Sequence, residues 1–433
     1  MEGTSSLPAR RSLLLGGGLL GAGALGAGAL ALREDPRTEA PLLSATVAIA
    51  ADGRRHLVGG DSSIPASRLR PGTRLLASVP EDAAPARRAD AFMATARPWL
   101  DTVPAAHAEL AASALADLWV LGDDAPAPVA GWSRSWRYLW PRDGAFCAVA
   151  LARAGLHDEA LGILSHLQSL QREGSWFEAR YDLATGRAPD DRPPQFDGTG
   201  LVLWAVAEVL EALPTPERRA TAAAGLERLV TRSRDLLRSG TGHGEQLPPV
   251  SPDYWELRER SVTLALMATT LAGWQAAATV TGESGDAEAA EAFTALLREE
   301  FGPAGYQRYA RRGGADSALA LPTALGAADL VPTADLTRLG DLLRRPAGGI
   351  APGARWKQDG ISWTPSTSLL ALGLARAGAD DEAGSLLTWL AEHRTAAGSL
   401  SEKVLYDGRP AAVAPLAWTA ANTILTIDAL REG

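Results

Sequence analysis

Trp136 to Phe146 reads WRYLWPRDGAF, a run of aromatic rings that ends in a proline, an arginine and an aspartate. Pro141 suits the first position of a helix, and the apolar run from Ala145 to Leu151 supplies its body. Arg142 and Asp143 are therefore placed at a helix mouth. A guanidinium beside a carboxylate, walled by flat rings, can hold vicinal sugar hydroxyls: the carboxylate accepts, the guanidinium donates, and an aromatic face covers the apolar face of the pyranose. The same residues also read as a helix-terminal salt bridge under a tryptophan-rich edge of the core, and the local sequence does not choose between the two.

The elements that must position this pair are helical. Between residues 33 and 80 there is no sustained helical period, only short β-like runs, Ala45 to Ile49 and His56 to Val58, broken by glycine and proline. They predict an N-terminal arm with one or two hairpins. From about Ala84 onward apolar residues recur at helical spacing. The spacing predicts helices at 84–101, 106–121, 142–155, 156–172, 198–212, 215–238, 259–282, 286–302, 315–328, 333–345, 365–377, 379–393 and 415–431. Short turns at Gly155 to Asp158, Pro214 to Pro216 and Gly378 to Asp381 join several of them in pairs, whereas the links between pairs are long and rich in Trp, Gly and Pro. Helical hairpins of this kind stack their apolar faces, and six of them close into an all-α (α/α)6 barrel over residues 81–433. An open solenoid has shorter and more uniform repeats.

The long links hold the distinctive residues: Trp140-Pro-Arg-Asp143, Gln195-Phe-Asp197-Gly198, Tyr254-Trp-Glu-Leu-Arg258, Arg355-Trp-Lys-Gln-Asp359-Gly360 and Ser401-Glu402-Lys403. In a closed ring of hairpins every second helix starts at the same rim, so all five motifs converge on one funnel. Trp136, Trp140, Trp255, Trp356 and Trp363 lie in these links, as platforms for a sugar or as plugs for a barrel mouth. Asp316 and Arg312 complete the ring of polar residues. Glu256 follows Tyr254 and Trp255, apolar company that favours the protonated carboxyl; it also reads as a cap for a helix beginning near Glu259.

Composition narrows the partners. A formal net charge of −9 over 433 residues gives no basic field for a polyanion, which argues against nucleic acid. Positive charge is almost all arginine, with Lys357 and Lys403 the only lysines. A single cysteine, Cys147, rules out an intrachain disulfide and falls on the apolar face of its helix as a structural thiol. The six histidines form no metal-ligand spacing, and neither a metal nor a cofactor is expected. Residues 1–32 carry Arg10-Arg11-Ser12, a Leu/Gly/Ala run and Ala29-Leu30-Ala31. This resembles a twin-arginine export signal, implying an exported or cell-surface protein; the run also approaches the roughly 20 residues of a membrane anchor. That segment is the one expected place of membrane contact, and the protein is expected to be a monomer.

From about Leu118 to its end the chain resembles glycoside hydrolase family 15, the glucoamylases and glucodextranases. The resemblance rests on the aromatic W-x-R-D at Trp140 to Asp143, on W-E-L-R at Trp255 to Arg258, similar to the W-E-x-R of bacterial members, and on Glu402 followed by AVAPLAWTAA. It implies that Glu256 is the general acid and Glu402 the general base of an inverting hydrolase. Arg142, Asp143 and, more loosely, Arg355 correspond to residues that grip the terminal glucose, and Gln195 and Asp197 to a Q-x-D-G segment near the site. Lys403 stands where fungal glucoamylases have Gln; it either holds Glu402 ionised or points to solvent. Leu257 replaces a second Glu that touches the next sugar. Family members differ in linkage, so trehalase and dextran-type specificity stay open, as does a noncatalytic carbohydrate sensor on the same scaffold. The partner implied is an oligosaccharide or polysaccharide.

Overall fold

The computed structural model describes residues 38–432; the export-signal reading of residues 1–32 falls outside them. The described chain starts with an arm whose strands β1 (Thr46–Ile49) and β2 (Arg55–Val58) pair antiparallel, Thr46 opposite Val58. Helices α1 (Ala84–Leu100), α2 (Ala108–Gly122), α3 (Pro141–Arg153), α4 (His157–Leu170), α5 (Asp197–Ala212), α6 (Pro216–Gly225) and α7 (Glu227–Thr241) follow. Then come α8 (Leu264–Thr281), α9 (Ser284–Phe301), α10 (Leu321–Ala324), α11 (Thr333–Leu343), α12 (Thr364–Arg376), α13 (Asp380–Glu392) and α14 (Ala417–Glu432).

Six of these form a closed inner ring. α3 packs on α5, α5 on α8, α8 on α10, α10 on α12, α12 on α14, and α14 returns to α3. The sequence explains which helices go inside. α3 is buried from Pro141 to Ala152, and α5 and α8 are apolar or small on nearly every face, the composition of a helix surrounded by protein. Outer helices are one-sided: α7 buries Leu229, Val230, Ser233, Leu236 and Leu237 and turns arginines outward. The architecture is the (α/α)6 barrel that the spacing predicts.

α5 and α8 approach until their backbones touch. A Cβ on Gly200 would stand 1.9 Å from the Thr269 carbonyl oxygen, and one on Gly273 2.6 Å from the Gly200 Cα. Glycine at both positions is a requirement of the crossing.

Three elements differ from expectation. The helix expected over 215–238 breaks after Gly225 into α6 and α7. The one expected over 259–282 starts at Leu264, where the Thr263 side chain accepts from the Leu266 N–H. Glu256 is therefore in a loop and caps nothing. The stretch 315–328 holds only a 3-10 turn, Ser317–Ala320, and the four-residue α10, because Pro322 lies in its first turn and Gly326 takes φ +110°.

The inner helices α3, α5, α12 and α14 all begin at one rim. At their other ends Glu208 of α5 receives Arg153 of α3 at 2.9 Å and Arg376 of α12 at 3.1 Å, a tie across the far mouth. On the near side a small sheet, β3 (Ser362–Trp363), β4 (Lys403–Val404) and β5 (Pro410–Ala411), braces the last two links, with Trp363 opposite Lys403. The arm is sewn to the same place: Leu43 N–H donates to the Ala412 carbonyl (2.9 Å), Ser44 Oγ to the Ala414 carbonyl (2.8 Å), and Thr46 Oγ1 lies 2.6 Å from Ser399 Oγ. Cys147 is a buried free thiol on α3. Among the described residues no helix is long and apolar enough to cross a membrane.

Candidate active site

A cavity of about 360 Å³ opens at the near rim, within the roughly 300–1,000 Å³ usual for small-ligand sites. Every link named from the sequence reaches its neighbourhood, and Trp140, Arg142, Asp143, Trp255, Glu256, Trp356 and Glu402 stand on its wall.

Arg142 and Asp143 occupy the first turn of α3, fixed by Pro141 at the first helical position. Their side chains are 9% and 6% exposed and lie 3.2 Å apart, Arg142 Nη2 to Asp143 Oδ2. Arg142 Nη1 is 3.3 Å from Oε1 of Glu256, and its guanidinium lies 4.9 Å above the Trp418 ring. Burial opposes the Arg142 charge, but Asp143, Glu256 and Asp197 together hold its pKa above the ordinary value. For Asp143 burial is the largest influence and raises the pKa, with Arg142 opposing it.

Glu256 is in the left-handed region, φ +57°, where a residue with a side chain costs about 1–3 kcal/mol. What holds it there is a buried net around Arg308, which is 2% exposed. Arg308 donates to Asp253 Oδ1 (3.1 Å), Glu259 Oε1 (2.6 Å) and Asp316 Oδ2 (2.9 Å), and its guanidinium lies 3.6 Å from the centre of the Trp255 ring. Asp253 Oδ1 also accepts the Trp255 N–H at 2.9 Å, and the Tyr254 hydroxyl donates to Asp316 Oδ1. The loop is thus clamped on both sides of the glutamate. The apolar company expected from Tyr254 and Trp255 is only half of its setting. Arg142 meets one carboxylate oxygen, and Arg192, from the link between α4 and α5, meets the other at 3.1 Å.

Glu402 enters from the link before α14, its backbone tied by its N–H to the Val413 carbonyl (2.9 Å) and its carbonyl to the Thr364 N–H (3.1 Å). Trp136 Nε1 donates to Oε1 at 3.3 Å, and Lys403 Nζ lies 3.5 Å from Oε2 and 4.4 Å above the Trp363 ring. Lys403 therefore turns onto Glu402 instead of into solvent, as register opposite Trp363 dictates. Burial raises the Glu402 pKa; Lys403 and the Trp136 indole pull against it.

The walls between the two carboxyls are aromatic. Trp255 meets Trp356 edge to face at 4.9 Å and Trp356 meets Trp363 at 5.3 Å, with Trp136, Trp140, Tyr254 and Trp418 also on the wall. The buried indole nitrogens of Trp140, Trp255, Trp356, Trp363 and Trp418 have no acceptor among the described residues. A cavity of flat rings with polar groups gathered at a few points is chemically suited to a polyol with an apolar face.

Six residues named from the sequence as part of the rim do not reach the wall: Arg312 is exposed, Asp316 is held by Arg308, and the other four are Gln195, Asp197, Arg258 and Arg355. Gln195 is buried behind it, its N–H spent on the Phe177 carbonyl at 2.9 Å. Asp197 is buried in the first turn of α5, where desolvation, countered in part by Arg142, pushes its pKa up to about 7. Arg258 and Arg355 are exposed, each beside an exposed neighbour, Leu257 within the clamped loop and Ala354 in the link before α12. The cations at the cavity besides Arg142 are instead Arg180 and Arg192. No periodicity marked these two in a link of mixed charges and prolines; Trp418 was visible as part of the motif after Glu402. Arg308 and Asp253 were not legible, since their partners come from separate links.

No family model matches the sequence, and no curated protein does. Solved structures do match in fold. Two structures described only as a glycosidase, one wild type and one a variant in complex with glucose, superpose with a TM-score of 0.60 at 21% and 20% identity, covering 77% of this chain and 98% of theirs. A family 15 glucoamylase from Hypocrea jecorina gives 0.58 at 18% identity over 79% of this chain and 72% of its own. A family 63 mannosylglycerate hydrolase from Thermus thermophilus gives 0.55 at 16% over 73% and 99%. The fold of this chain is accordingly the six-hairpin barrel shared by glycoside hydrolases of families 15 and 63.

Proposed function

We propose that the chain is an inverting, exo-acting α-glucoside hydrolase that releases β-glucose from nonreducing ends. The observation that carries this reading is the meeting of Glu256, Glu402 and the Arg142–Asp143 pair on one tryptophan-lined cavity wall. Glycoside hydrolysis requires two carboxyl groups on opposite sides of the scissile bond. In this reading Glu256 gives its proton to the departing glycosidic oxygen as the C1–O bond breaks. Glu402 takes a proton from the water whose oxygen bonds to C1 from the other face. Arg142 and Asp143 grip hydroxyls of the terminal sugar, and the indole walls exclude solvent. A cavity enclosed by links from around the ring suits a chain end better than the middle of a polymer.

The test is glucose release from maltose, isomaltose, trehalose and soluble starch, with the anomer of the first-formed glucose read by proton NMR. β-Glucose is expected; α-glucose would replace inversion with retention, and no release from any substrate would defeat the hydrolase reading. A second reading exchanges the two carboxyls, because Glu256 faces two guanidiniums, Arg142 and Arg192, whereas Glu402 faces the single ammonium of Lys403. α-Glucosyl fluoride separates them, since departing fluoride needs no acid. It should restore turnover to Glu256→Gln and not to Glu402→Gln; the reverse pattern assigns the acid to Glu402.

A further inference from the structure

The two oxygens of Glu256 are held by unequal partners. Arg142 on Oε1 is 9% exposed and anchored to Asp143, whereas Arg192 on Oε2 is 41% exposed and has a second partner 3.4 Å away in Asp190 Oδ2. Asp190 is not free to neutralise it. The same carboxylate takes Arg180 Nη2, whose guanidinium also donates to the Ser135 carbonyl at 2.8 Å and lies over Tyr138 and Trp140. Arg180 is thus packed against the wall, whereas Arg192 is held there by its two ion pairs.

The following step rests on Glu256 being the proton donor. With a proton on Glu256, Arg192 loses its ionic partner there. Two guanidiniums, Arg180 and Arg192, then share the single charge of Asp190. One positive charge on the cavity lining is left without an ionic partner, beside Oε2 of Glu256. A neutral leaving group leaves that charge to water, while a carboxylate on the leaving group supplies the planar, two-oxygen acceptor that a guanidinium matches best.

We propose that Arg192 is a specificity-determining residue, which receives a carboxylate carried by the leaving group, so that the preferred substrates are α-glucosides of hydroxy acids over neutral α-glucosides. Its place beside the proton donor makes it contact the aglycone, not the sugar gripped by Arg142 and Asp143.

Two aryl α-glucosides of similar leaving-group basicity decide it: 3-carboxyphenyl and its neutral counterpart 3-carbamoylphenyl. In the unmodified protein kcat/KM is expected to favour the charged glucoside by roughly tenfold at low salt, less as salt screens the pair. In Arg192→Gln the ratio should fall to about one, and Arg192→Lys should keep part of it. Equal kcat/KM values in the unmodified protein, or an unchanged ratio in Arg192→Gln, overturn the assignment. If neither glucoside is cleaved, the hydrolase reading fails on its own account, and calorimetric binding of the same two compounds judges Arg192. Tighter binding of the charged one, lost in Arg192→Gln, sustains the carboxylate site; equal binding overturns it as well.

Discussion

Lys403 and Asp197 are charges whose effect is set by what surrounds them. Glu402 can act as a base only while ionised, and burial alone raises its pKa, so the ammonium 3.5 Å away and the Trp136 indole are what oppose protonation. A base must lose its proton, so activity falls as pH drops through its pKa. Lys403→Met removes the opposing charge; the acid limb of kcat/KM should shift to higher pH, and Lys403→Arg should largely restore it. An unmoved limb would show that the ammonium has no hold on Glu402. For Asp197 the sign runs through stability. Its folded pKa of about 7 lies above the ordinary carboxylate value, so the folded state binds the proton more tightly than the unfolded one. The contribution is complete below about pH 4 and lost as pH rises toward about 7. Asp197→Asn should therefore lose less in Tm than the unmodified protein between about pH 4 and about pH 7. At this scale the sequence marked which residues would share the cavity where one motif stands out by itself, as at Arg142, Asp143, Glu256 and Glu402. It misled at Glu256's surroundings, because adjacent Trp255 and Tyr254 are visible in a line of letters and Arg142 and Arg192, from other links, are not.

Helices and links explain how such residues are held. The crossing of α5 and α8 depends on Gly200 lying against the Thr269 carbonyl, where a methyl group would stand 1.9 Å from the oxygen. Gly200→Ala must push two inner helices apart or bend one. A loss of about 1–3 kcal/mol in chemical denaturation is expected, with a matching fall in Tm. A neutral substitution would mean that the crossing yields freely. The links work differently from the helices. Glu256 keeps its left-handed backbone because Arg308 binds three carboxylates, Asp253, Glu259 and Asp316, contributed by two separate links. Outer helices were legible from apolar spacing, since a one-sided helix writes a period of about 3.6, and inner ones as long runs of apolar and small residues bounded by Gly, Pro or Asp. The exceptions have local causes: apolar letters suggested one long helix over 315–328, but Pro322 and Gly326 cut it short. Links carry no period, so neither the Arg308 net nor the Arg180–Asp190–Arg192 group could be assembled from spacing.

The whole ring brings distant chain segments into one construction. Leu43, Ser44 and Thr46 of the arm hydrogen-bond to residues between 399 and 414, the link that presents Glu402. The arm is thus part of the support of the candidate base. Deleting the arm through residue 60 should lower Tm and, in the fraction that remains folded at low temperature, depress kcat far more than substrate binding, measured as inhibitor Kd. Unchanged kcat would show that the link stands without it. That six hairpins would close was legible in the alternation of short and long links; that the arm would brace the last link was not, because four-residue strands name no partner.

α14, the last of the described helices, is the one that meets the first of the inner ring. Until α14 leaves the ribosome, α3 has no neighbour on one flank, and Phe146 and Cys147, which meet Trp418 and Ala417 there, must wait while every other inner helix is synthesised behind them. The nascent protein consequently spends most of its synthesis as an unclosed horseshoe with a greasy seam. A message cut short before α14 yields a chain that has every recognition residue but Trp418, and no means of shutting the circle.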